Sequence, residues 1–137
     1  MPNIVNHSGL KNILRLDAAT CAAVAALQLA LPQALSQWLG LAVPLLLGSA
    51  VFLLAYVGLL LVMARTAQLW PWVLQLVVWG NAGWGIGCLA LAFAASGVTG
   101  LGVAYLLLQA LTVFAIAAWQ WRMARRGQAP FSALQQA

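Results

Sequence analysis

Residues 18–64 read AATCAAVAALQLALPQALSQWLGLAVPLLLGSAVFLLAYVGLLLVMA, a run of 47 residues without one charged side chain. A transmembrane helix needs about 20 apolar residues, so the run is long enough for two crossings and a turn. Pro32, Gln33, Ser36, Gln37 and Gly40 cluster in its middle. Proline removes a backbone donor and glycine loosens the backbone, so such a cluster separates one helix from the next. A second uncharged run, residues 66–121, is 56 residues long. Ser96, Gly97, Thr99, Gly100 and Gly102 break it in the same way. Arg65, Thr66, Gln68 and Pro71 connect the two runs. Pro71, like Pro44 in the first run, suits the opening turn of a helix, where no amide donor is needed.

The pattern predicts four membrane-spanning helices at about residues 13–31, 42–64, 70–95 and 99–121. Short loops make consecutive helices antiparallel neighbours, which gives an all-α, up-down four-helix bundle. Residues 1–126 form one membrane domain, and residues 127–137, GQAPFSALQQA, read as a short polar tail. A cleaved signal peptide is the competing reading of the first helix. Asp17 and the poor cleavage pair Ala34 and Ser36 argue against it.

Composition excludes a water-soluble fold. The 137 residues are 65% hydrophobic and 5% charged, against about 25% charged in soluble domains. Mean hydropathy is +0.98. Six Lys/Arg face a single acid, for a net charge of +5. No basic stripe with interleaved aromatics lies on a polar surface, so nucleic acid is not the expected partner. The excess is read as topology. Lys11 and Arg15 open the first helix, Arg65 lies between the second and third, and Arg122, Arg125 and Arg126 follow the fourth. All fall on one side, which by the positive-inside rule places both termini in the cytoplasm. Trp70, Trp72, Trp119 and Trp121 belong to that interface and Trp38 to the opposite one, while Trp79 and Trp84 lie deep.

Polar residues inside the spans are the candidate functional positions: Asp17, Gln28, Asn81 and Gln109. Counted from the predicted helix ends, Asp17 lies about 6 Å in, Asn81 about 17 Å, Gln109 about 18 Å and Gln28 about 22 Å. Asn81 and Gln109 therefore match in depth, either as an interhelical hydrogen bond or as a polar midplane site. Asp17 has two readings, a salt bridge to Arg15, Arg65 or Arg122, or a proton or cation site. Gly83 and Gly87 form a GxxxG pair for helix packing, within the bundle or against a partner. Cys21 and Cys88 differ in depth by about 15 Å, too far for a disulfide.

The chain has one histidine, His7, one acid and no glutamate. His7 reads as a solvated or interfacial residue. That inventory supplies no base–nucleophile–orienter set and no metal or haem ligands. The expectation is no enzyme, no catalytic residues, no metal and no cofactor.

LRLDAAT (Leu14–Thr20), GNAGW (Gly80–Trp84) and YLLLQALTVFAIAAWQW (Tyr105–Trp121) resemble a group of small bacterial four-helix integral membrane proteins. Members of that group often carry LRLDA in the first helix, GNALW in the third and AQA in the fourth. The resemblance spans most of the chain. It implies the four-helix architecture and a bacterial cytoplasmic (inner) membrane, and it implies no activity. Glycine stands at Gly83 where leucine is common in the group. Likeness to the small multidrug-resistance transporters is architectural only, because their glutamate lies deeper in the first helix than Asp17.

Three functions are therefore expected to compete. The first is a structural or accessory subunit of a larger membrane complex. The second is a homo-oligomeric transporter or channel using Asp17 and the midplane amides. The third is lipid or hydrophobic small-molecule binding between helices, which requires open space beside Gly83.

Overall fold

The computed structural model describes the backbone of residues 3–136 and the side chains of residues 3–127. In chain order it contains β1 (Ile4–Val5), α1 (Ser8–Ala30), α2 (Pro32–Leu39), α3 (Val43–Arg65), β2 (Gln68–Leu69), α4 (Pro71–Ala94) and α5 (Gly100–Gln136). Helices α1, α3, α4 and α5 are each long and apolar enough to cross a membrane. The four-helix bundle expected from the uncharged runs is present. Pro32, Pro44 and Pro71 each sit in the opening turn of their helices, where a missing N–H costs nothing.

Two boundaries differ from expectation. Helix α1 begins at Ser8 rather than near residue 13 because His7 caps it: its Nδ1 accepts the Leu10 N–H at 3.3 Å. His7 Nε2 lies 2.9 Å from the Met123 carbonyl oxygen. A carbonyl only accepts, so Nε2 carries the hydrogen and Nδ1 keeps its lone pair. His7 is therefore a structural cap rather than a solvated residue. Helix α5 runs on through the expected tail to Gln136, and neither Gly127 nor Pro130, residues that ordinarily weaken a helix, ends it. The side chains of 128–137 lie outside the described residues.

The basic end of the bundle is tied by a short ribbon. Strands β1 and β2 pair antiparallel, with Ile4 opposite Leu69 and Val5 opposite Gln68. Asn6 Nδ2 donates to the Met63 and Thr66 carbonyls at 2.8 and 2.7 Å. It thereby satisfies acceptors that the end of α3 would leave open. At the opposite end, the Thr99 hydroxyl accepts the Gly102 N–H and caps α5. The same hydroxyl donates to the Trp38 carbonyl, and the Thr99 N–H donates to Leu39.

Consecutive helices are not all neighbours. Helix α1 packs chiefly on α3 and α4 on α5, and the two hairpins meet along α1 and α5. The backbones of α3 and α4 scarcely touch. Six of the seven tryptophans are exposed, including Trp79 at 67%. Trp79 is deep along the axis but faces outward, which leaves Trp84 as the inward ring.

The far-end turn is tight. Gly40 has φ +72°, and a Cβ on Gly102 would run into the Leu39 carbonyl. Gly102→Ala is therefore expected to lower stability by about 2 kcal/mol or more. Gly83→Ala points into open space and should change it by less than about 0.5 kcal/mol. Unfolding in mixed detergent–SDS micelles measures both.

Candidate functional site

Asp17 is fully buried, at 0% exposure. It lies nine residues into α1, about 14 Å from the helix start, not the expected 6 Å. The difference comes from the earlier beginning of α1. Asn81 on α4 and Gln120 on α5 are also buried. The Asn81 and Gln120 side-chain amides each donate to Asp17 Oδ2 at 2.7 Å. Asn81 Nδ2 also donates to Gln120 Oε1 at 3.1 Å, which closes the triangle. The Cys21 thiol approaches Oδ1 at 3.6 Å.

This arrangement corrects the salt-bridge expectation. Arg15, Arg65 and Arg122 are all exposed, and neutral amides face the carboxylate instead. A carboxylate in an apolar interior must have its lone pairs met, and amide N–H groups do so without burying a second charge. The Asn81–Gln109 pairing is corrected as well. Gln109 accepts from Trp84 Nε1 at 3.1 Å, while Asn81 is level with Gln120. The register was missed because α5 continues well beyond Trp121, so its helix end does not mark the membrane boundary.

Gln28, the remaining amide candidate, belongs to a second cluster nearer the far end. Its Oε1 accepts from the Ser49 hydroxyl at 2.9 Å, and its Nε2 donates to the Tyr105 hydroxyl at 3.0 Å. Cys21 and Cys88 are free and buried, as the depth difference requires.

A cavity of about 310 Å³ lies beside these clusters, bordered by α1, α3, α4 and α5. Its walls are mainly apolar and aromatic, including Val24, Phe52, Leu53, Tyr56, Trp84 and Tyr105. Thr20, Asn81, Gln109 and Thr112 are its polar positions. Asn81 alone of the Asp17 triangle borders it.

The cavity is next to the gap between α3 and α4. Phe52 on α3 lies nearly parallel to Trp84 on α4, with centroids 5.9 Å apart. Tyr56 reaches across to donate to the Val77 carbonyl at 3.2 Å. These side chains bridge a gap that the backbones leave open. Outside them runs a groove lined by Pro44, Gly48, Gly83 and Gly87. Phe52, Gly80 and Trp84 border both spaces.

Gly83 and Gly87 are thus not a packing seam inside the bundle, because nothing lies within 4 Å of a Cβ at either. The glycine that packs is Gly85, whose Cβ would meet the Phe114 ring at 2.6 Å. Sequence reasoning did not single out Gln120, which stands between Trp119 and Trp121 at the expected end of the fourth helix. Its spacing from Gln109 was the available signal, since 11 residues are three helical turns and place both on one face.

No protein-family model, curated protein or solved structure matches the chain. The two motifs LRLDA and GNAGW nevertheless meet in space, through the Asp17–Asn81 hydrogen bond.

Removing one amide from the triangle leaves a buried carboxylate short of a donor, so Asn81→Leu is expected to cost about 2 kcal/mol. Gln109→Leu should cost about 0.6 kcal/mol, the usual worth of a neutral interhelical bond in a membrane. Equal losses for the two in SDS-titrated unfolding would show that the triangle carries no special weight.

Proposed function

We propose that this chain is a non-enzymatic, multi-pass protein of a bacterial cytoplasmic membrane that binds a hydrophobic small molecule or lipid chain inside its bundle. The observation that carries this reading is the apolar cavity bordering a lateral gap between α3 and α4. Its volume of about 310 Å³ is at the lower end of the range for small-molecule sites. Mostly apolar walls with a few placed polar atoms are the usual composition of such sites. The gap gives a route from the bilayer, in which an apolar ligand is already dissolved. Both termini are assigned to the cytoplasm on the strength of the six basic residues gathered at one end.

A specific observation favours a second reading, the accessory subunit. Gly48, Gly83 and Gly87 line the outer groove with open space above each. Small residues allow a helix to approach closely, so a helix of a larger complex or of a second copy fits there. The transporter or channel reading has less support, because Asp17 and Gln120 do not border the cavity.

The test uses a variant retaining Trp84 as its only tryptophan, with the six exposed ones changed to phenylalanine. Brominated oleate should quench Trp84 fluorescence saturably. Gly80→Leu, at the shared border of cavity and groove, should weaken that binding about tenfold. Non-saturating quenching, unchanged by Gly80→Leu, would show contact with bulk lipid and overturn the proposal.

A further inference from the structure

A separate groove runs between α1 and α5 on the outside of the bundle, at its basic end. Asn12, Ile13 and Leu16 line one wall, and Ala115, Ala118 and Trp119 the other. Arg122 and Arg126 stand at its rim. It holds about 840 Å³ and shares no lining residue with the cavity proposed for the apolar ligand.

The spacing builds the groove. Residues 115, 119, 122 and 126 recur every three or four positions and so form one stripe of α5, and residues 9, 12, 13 and 16 form the matching stripe of α1. Ala115 and Ala118 keep the floor low because they carry only a methyl group. Arg122 and Arg126 are attached one turn apart, about 6 Å along the axis. From Arg122 the apolar floor descends seven residues to Ala115, about 10 Å toward the middle of the bilayer.

Charge decides what fits. Both arginines are exposed. The chain has a single acidic side chain, Asp17, and it is sealed in its amide triangle. No carboxylate side chain of the protein is therefore free to neutralise the rim. Trp119 stands one turn below Arg122, suited to the headgroup boundary. A cationic rim above an apolar trough matches one amphiphile: an anionic headgroup with an acyl chain below it.

We propose that the α1/α5 groove is a binding site for an anionic phospholipid, with Arg122 and Arg126 holding the phosphate and the Leu16–Ala115–Ala118 floor holding the start of an acyl chain. Arginine suits this task because its planar fork donates two parallel N–H groups to phosphate oxygens. Arg125 serves as the internal control, since it lies 5.3 Å over the Trp121 ring and outside the groove.

The test is native mass spectrometry of the full chain released from nanodiscs containing equal amounts of phosphatidylglycerol and phosphatidylcholine. The wild type should retain phosphatidylglycerol selectively. The double variant R122Q/R126Q should lose about tenfold of that preference, and R125Q should keep it. Unfolding curves establish that the variants remain folded, as exposed positions allow. Added inorganic phosphate should not displace the lipid, because the chain contributes to binding. Three results would each overturn the proposal: equal retention of the two lipids by the wild type, a loss as large in R125Q as in the double variant, or full displacement by phosphate alone.

Discussion

A single carboxylate has to be satisfied without water, and the bundle is organised around how that is done. Asp17 takes one amide from α4 and one from α5, so three helices converge on one oxygen atom. An unmatched aspartate inside an inserted helix is costly, up to about 3 kcal/mol at the helix centre, and a misplaced partner would leave that cost uncompensated. The triangle therefore fixes the rotation and depth of α1 relative to both α4 and α5. Apolar contacts alone would specify neither, because every face of these helices is apolar.

That constraint acts along the α1 and α5 side, and the opposite side is correspondingly loose. The two hairpins are joined by one close seam, while α3 and α4 communicate through the rings of Phe52, Tyr56 and Trp84. The cavity exists because one side of the bundle is drawn together by polar bonds and the other is spanned by large aromatic side chains. Gly80, Gly83 and Gly87 keep the α4 side of the opening clear, while Gly85, on the other face of α4, lets Phe114 pack closely. One glycine-rich segment thus serves an open face and a packed face within about two turns.

The architecture was legible because its signals are compositional and local: two long uncharged runs, each broken by Pro or Gly. Pro44 and Pro71 marked helix starts correctly, whereas Pro32, read only as part of a break, opens the short helix α2 that was not expected. The two-residue ribbon was not legible, since strands that short carry no periodicity, and neither was His7, which lies outside the usual capping set. Among the site residues, Asp17, Gln28, Asn81 and Gln109 were visible as polar atoms in apolar sequence. Their partners were not. Pairing depends on the relative axial shift of helices, and a count from uncertain ends carries an error of a turn or more. Gln120 escaped for that reason, and Gly83 and Gly87 were assigned to a seam because spacing alone does not say which face of a helix is covered.

The order in which the chain is made gives the triangle a temporal meaning. Synthesis runs from the N-terminus, so α1 and α3 are complete while Asn81 and Gln120 are still to be added. During that interval the aspartate of α1 has no amide to meet it. The first hairpin consequently enters the membrane with a polar group that only the second can satisfy, and Gln120 is the last of the three to be added. A chain truncated before that residue would retain four largely apolar segments yet leave the carboxylate incompletely matched. The same three hydrogen bonds therefore distinguish a bundle with both hairpins in place from one that lacks the second.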